Sequence, residues 1–387
     1  MRTIDITDAG ADPDGETEID PVVRNRAAPN TRLVFPPGRY LVGSLGELTA
    51  DRLELVAPEG ATLVPRDRTA PERLVTLAGR EQRLEGFDYE VEDCRVAPAV
   101  HVRSDATIRN FAVRGPAGVS PHYEPSDQGR DAVSMFNVKD VPAGSTFLAE
   151  SIYMGDGVGR KRDARRGWYL SGNDGTVELR DVTLAGWAEN TVYGTYANGQ
   201  DANARSIYRN VTCQNTNIGI RTSGDTLVED SVFVRDGSVP AQGWSGARRQ
   251  RGIWIEGGKS AHPDGTTTIR NCEFLWESTA ADQSGQPLVC YPPPRRIELS
   301  GLRINNQHPS WPTFELDPHD RRPVELVVED VHVTQRNNRP VFRLRGDHDI
   351  VRARNLHVDA DGPLSDTRSS QLARAVESHD PDPTLTE

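Results

Sequence analysis

The stretch Glu178-Leu179-Arg180-Asp181-Val182-Thr183-Leu184 decides the fold, because it recurs. An apolar residue, a variable one, then Asn, Asp or Gly, then two alternating apolar positions return as LEGFDY (84–89), TIRNFAV (107–113), LAESIY (148–153), YRNVTC (208–213), VEDSVF (228–233), TIRNCEF (268–274), LSGLRI (299–304), VEDVHV (328–333) and ARNLHV (353–358). The turn position falls at Gly86, Asn110, Glu150, Asp181, Asn210, Asp230, Asn271, Gly301, Asp330 and Asn355, at spacings of 20 to 41 residues. Alternation on both sides of the turn is a strand signature, since side chains on a strand repeat every second residue. Asn, Asp and Gly at the corner fit a tight bend, because they tolerate left-handed backbone angles.

A third short strand precedes each pair: PAVHVRS (98–104), GWYLSG (167–172), NTVYGTY (190–196), IGIRTSG (218–224), GIWIEGG (252–258), PTFELD (312–317) and PVFRLRG (340–346). Three strands per turn of roughly 25 residues, stacked at about 4.8 Å, make a parallel β-helix in which each coil buries its inward residues against its neighbours. A β-propeller needs about 40 to 50 residues and four strands per blade, which these spacings do not supply. The expectation is an all-β chain: a right-handed parallel β-helix of ten or eleven coils over residues 31–362, an N-terminal cap over 1–30, and a C-terminal cap with a flexible tail over 363–387. Glu16–Ala28 and Asp366–Ser378 read as short capping helices. Insertions belong near 114–130 and 236–250, where the spacing jumps.

Composition limits the function classes. The chain has 387 residues, 36% of them hydrophobic, and no apolar run near the roughly 20 residues of a membrane span. Its start, MRTIDITDAG, carries no export signal, which implies synthesis for the cytoplasm or for a particle assembled there. Formal charge is −12, and lysine occurs only at 139, 161 and 259 among 45 basic residues. That arginine-for-lysine, acid-rich balance is expected of adaptation to high salt; a high-GC genome gives a similar bias. Scattered arginines on an acidic chain argue against nucleic acid, which needs a clustered basic face. Cys94, Cys213, Cys272 and Cys290 lack metal-ligand spacing, and the repeat turns Cys213 and Cys272 inward, as buried thiols. The one sequon, at Asn210, falls on a repeat turn, where chance suffices to explain it.

Asp8–Asp20 (DAGADPDGETEID), Leu33–Leu45 (LVFPPGRYLVGSL) and Leu53–Pro65 (LELVAPEGATLVP) resemble the opening of the pectate-lyase-like superfamily, a GAD-DG stretch, a capping helix and an FPPG-Y strand pair. The resemblance implies the β-helix and a substrate groove along one sheet, but not a reaction, since lyases, glycoside hydrolases, epimerases and virus tailspikes share it. Aligning the third strands gives an outward column of His101, Ser134, Tyr169, Tyr193, Arg221, Trp254, Val289, Glu315 and Arg343. A second column runs through Arg103, Phe136, Ser171, Thr195, Ser223, Glu256, Tyr291, Asp317 and Arg345. Tyr169, Tyr193 and Trp254 would offer rings for sugar faces, with Arg221 between them gripping a carboxylate and Glu315 and Arg343 extending the contact. Packing under insertion loops is the alternative.

Glu256 and Asp317 sit two coils apart, so their backbones should lie roughly 9 to 10 Å apart. That is near the upper limit of an inverting glycosidase pair, roughly 6.5 to 9.5 Å; solvated carboxylates on an acidic protein are the alternative. Asp317-Pro318-His319-Asp320 resembles the DPHD motif of mannuronan C5-epimerases, and His319 with a carboxylate suits proton removal and return. The family's Tyr three residues before that Asp is replaced by Phe314, which removes the usual second proton carrier. GIRTSGD (219–225) matches a polygalacturonase strand only through Arg221, and the paired-Asp coil is missing. Arg221 would serve a calcium-dependent lyase as base, but no acidic cluster lies beside it in sequence, so no cofactor is implied and calcium is the one metal to test. Two functions follow. One is a carbohydrate-active protein of lyase or hydrolase type acting on an acidic surface polysaccharide through Glu256, Asp317, His319 and Arg221. The other is a non-enzymatic receptor-binding subunit, such as a tailspike or fibre of a halophilic virus, expected as a homotrimer.

Overall fold

A computed structural model describes the chain except residues 67–72, 93, 95–98, 117–133, 158–165, 200, 202, 240–250, 258–264, 278–284, 292–293, 318–323, 346–347 and 367–387, and the side chains of 196, 198 and 348–351. The second expected capping helix and both expected insertions lie largely outside the described residues. Within them the chain is a right-handed parallel β-helix, with one parallel sheet of 16 strands and a second of 11.

The first sheet bends at the repeat turn, so it supplies two of the three walls. Asn110, Asp181, Asn210, Asp230, Asn271, Asp330 and Asn355 all hold left-handed φ angles between 48° and 54°, and Gly86 and Gly301 take 85° and 62°. Gly86 is required twice over, because a Cβ there would also collide with the Ala57 carbonyl. One turn departs from the alignment. The left-handed residue of LAESIY is Ser151 at 58°, and Glu150 pairs with Arg109 on the strand before it.

Register converts alternation into a core. On the first wall Leu84, Ile108, Ala149, Leu179, Tyr208, Val228, Ile269, Leu299 and Val328 align on successive coils. On the second wall Met154, Leu184, Cys213, Phe233, Phe274, Ile304 and Val333 do the same. The third wall, the second sheet, contributes Val100, Phe136, Trp168, Val192, Ile220, Ile253, Leu288, Phe314 and Phe342. Stacking of like shapes fills the interior: Phe136 lies on Trp168 with centroids 4.1 Å apart, and Phe233 on Phe274 at 4.9 Å. All four cysteines are buried, and burial pushes the Cys213 and Cys272 thiols up to about 12.

Outside the first wall the alternate positions form an ionic ladder. Glu150, Arg180, Arg209, Glu229 and Arg270 follow one another in register. Arg180 reaches Glu178 at 2.7 Å and Glu150 at 3.3 Å; Arg209 reaches Glu178 at 3.1 Å and Glu229 at 3.0 Å; Arg270 reaches Glu229 at 2.5 Å. A guanidinium spans two coils because its fork offers several donors in fixed directions, which lysine's point charge does not. At the N-terminal end, a helix Asp20–Arg26 with Pro21 in its first turn lies inside the stretch expected to be helical. Its Asp20 carboxylate accepts the Ser44 amide at 2.7 Å, and burial raises its pKa.

Candidate functional site

The outer face of the second sheet carries the expected column. Tyr169, Tyr193, Arg221, Trp254, Val289, Glu315 and Arg343 occupy consecutive strands in register. The preceding coils differ from expectation. Asn137, not Ser134, lies opposite Tyr169, and it bonds His101 one coil further back at 2.9 Å. Ser134 pairs with Arg166 and is fully buried. Phe136, expected to face outward, is a core residue, because a shift of three positions reverses the face of a strand residue.

The aromatic column is also not an open platform. Tyr169 and Trp254 are each only 8% exposed, and Tyr193 is half-buried. Their faces are taken by cations. Arg166 lies 5.5 Å from the Tyr169 ring and 4.5 Å from Tyr193; Arg221 lies 4.8 Å from Tyr193 and 3.9 Å from Trp254. Arg251 covers Trp254 at 4.2 Å, and Lys139 sits 5.4 Å from Tyr169. Rings and cations therefore alternate along five coils, each contact worth about 0.5 to 2 kcal/mol.

Two carboxylates fix this ladder from the side. Arg166 Nε donates to Glu189 Oε2 at 3.0 Å, and Arg221 Nε donates to Glu256 Oε2 at 2.7 Å. Glu256 is 3% exposed and also accepts from the Thr195 hydroxyl at 3.1 Å; the Ser223 hydroxyl in turn donates to the Thr195 carbonyl. Expected as an acid or base, Glu256 is built as the counter-ion that aims Arg221. It keeps its place in the second column, where Glu256, Tyr291, Asp317 and Arg345 sit on four consecutive coils. Asp317 accepts from Arg345 at 3.0 Å. Glu315 is held by Gln286 and lies 3.6 Å from Arg343, whose Nε faces Asp366 at 3.7 Å. His319 and the rest of its DPHD segment lie outside the described residues. Among the described residues no three His, Cys, Asp or Glu side chains gather as a metal-binding group.

Among the residues of this face not singled out by sequence are Lys139, Arg166 and Arg251, while Tyr291, already placed in the second column, is 36% exposed beside Glu256. A signal for two of them exists. Arg166-Gly167-Trp168-Tyr169 and Arg251-Gly252-Ile253-Trp254 share one pattern, an Arg three residues before the outward ring. Two intervening positions hold Gly for packing: a Cβ on Gly167 would come within 2.7 Å of the Thr191 carbonyl, and one on Gly252 within 2.7 Å of the Pro287 carbonyl.

No protein-family model and no curated protein sequence matches the chain. Solved structures do. A crystal structure of PfbA, a surface adhesin of Streptococcus pneumoniae, aligns with TM-score 0.57 at 13% identity, covering 94% of this chain and 92% of that one. A second PfbA structure aligns with TM-score 0.50 at 13% identity over 94% and 99%. The catalytic unit of an alpha-1,3-glucanase from Streptomyces thermodiastaticus gives 0.49 at 15% identity over 94% and 69%. At such identities the likeness is one of fold.

Proposed function

We propose that this chain is a carbohydrate-recognising β-helix that grips an acidic polysaccharide along the outer face of its second sheet. The observation that carries the reading is the alternating ladder Lys139, Tyr169, Arg166, Tyr193, Arg221, Trp254, Arg251 on a chain of net charge −12. Four cations set over the rings, against two carboxylates holding them, concentrate positive charge where the rest of the molecule is acidic. Guanidiniums clamped between rings and tied by Glu189 and Glu256 are already ordered, so little freedom is lost when they take a carboxylate in two-pronged fashion. Tyr193 and Tyr291 supply the accessible ring edges.

Isothermal titration with acidic and neutral polysaccharides tests this. Trp254→Ala should weaken acidic-glycan binding by about 1 to 3 kcal/mol, the range for truncating an interface hot spot, because the ring that orders Arg221 and Arg251 is lost. Arg221→Lys should weaken it too, because the fork and the ring sandwich are both lost. Binding unchanged in both variants refutes the assignment.

A catalytic reading, lyase, hydrolase or epimerase, keeps Glu256, Asp317, Arg221 and His319 as its acid and base candidates. It requires Glu256 to leave Arg221 and Asp317 to leave Arg345, and it is checked by new reducing ends or unsaturated-uronate absorbance. Recognition without turnover suits a surface or fibre subunit, including a halophilic virus spike. A spike should scatter light as a trimer in high salt, and a monomer there removes that version.

A further inference from the structure

Away from the proposed glycan face, the last two coils of the first sheet bring two imidazoles together. His332 and His357 are partners in register on neighbouring parallel strands, Val324–Gln335 and His348–Ala360. Their rings stack with centroids 4.6 Å apart and planes 18° from parallel. His332 is exposed and His357 half-buried, and both point away from the core, since Val331, Val333 and Leu356 beside them are buried. A shallow hollow beside His332 is lined by Arg303, Asn305 and Thr334.

We propose that His332 and His357 form a two-nitrogen site for a divalent transition-metal ion of the copper, zinc or nickel class, with water completing the coordination. Imidazole suits these ions, which bind nitrogen at roughly 2.0–2.1 Å in the case of zinc. The sheet holds the two residues as partners on adjacent coils, and the rings must turn out of their stack about the side-chain bonds for one nitrogen of each to face a common ion. The strand His348–Ala360 pairs on one side only among the described residues. An ion held between the two histidines would therefore brace this edge strand to the coil before it.

The charged groups near the pair set its affinity for a cation. Arg303 occupies the same column one coil back and opposes a cation; Glu273 lies one coil further and favours one. Asp330, two residues before His332, is taken up by the Asn355 amide at 2.6 Å, and Asp359, two residues after His357, by Arg336.

The test is Cu2+ titrated into the full chain, followed by electron paramagnetic resonance and thermal unfolding. The expected spectrum shows nitrogen ligation, and saturating Cu2+ should raise the unfolding midpoint, as for any ligand of the folded state alone. His332→Asn and His357→Asn should each weaken binding at least tenfold and abolish the shift, with metal-free midpoints near that of the parent. Arg303→Gln, which leaves both ligands in place, should tighten binding. Equal Cu2+ affinity in the His332→Asn/His357→Asn double variant, or Arg303→Gln without effect, overturns the proposal.

Discussion

Single residues set the corners of this solenoid. Most left-handed corners are Asn, Asp or Gly, the residues that tolerate that conformation, while Ser151 holds φ 58° without their advantage. Ser151→Gly should therefore stabilise the fold by up to about 1 kcal/mol, read as a raised denaturant midpoint with unchanged slope, because left-handed strain is relieved. The same position shows why the sequence misplaced one corner. In LAESIY neither candidate is a residue that marks a turn, so pattern alone could not choose between Glu150 and Ser151. In the interior, Trp168 stacks on Phe136 with no exposed surface, and Trp168→Ala should cost about 3 to 5 kcal/mol in equilibrium unfolding, from lost transfer free energy and the cavity left behind.

At the scale of strands, the coil pattern was legible wherever consecutive turns lay close in sequence. From Tyr169 onward the column read by alternation is the column in space. Upstream, residues 115–133 separate two strands, so nothing local fixed the register and Ser134 was taken where Asn137 belongs. Exposure was harder still to read, because alternation says which wall a side chain faces but not what covers it. The largely buried Arg221–Glu256 pair, Lys139 over Tyr169 and Arg221 over Trp254 are cross-coil contacts between residues as many as 35 apart in sequence. The ionic ladder on the first wall gives a pH prediction. Burial tends to raise the Glu229 pKa, but hydrogen bonds from Arg209 and Arg270 prevail and hold it below the usual carboxylate value. A lowered folded-state pKa means the stabilisation is present above the unfolded pKa, about 4.3, and disappears as pH falls through the folded value. Glu229→Gln should thus be less stable than the parent at neutral pH, and the gap should close in acid, measured by thermal unfolding across the range. A gap independent of pH would show that the ion pairs do not stabilise the wall.

Across the whole molecule, three walls do different work: two are bent from one sheet, the first of them carrying the ionic ladder, and the third carries the ring–cation ladder. The coil stack by itself does not select a function, since the same architecture serves a pneumococcal surface adhesin. On the third wall Lys139, Arg166, Arg221 and Arg251 are ordered over Tyr169, Tyr193 and Trp254. The direct measurement is amide hydrogen exchange with and without an acidic oligosaccharide. Strands 166–173, 190–198, 218–222 and 251–255 should gain protection while the first sheet is unchanged. Protection confined to the first sheet, or none at a concentration that saturates binding, would contradict the account.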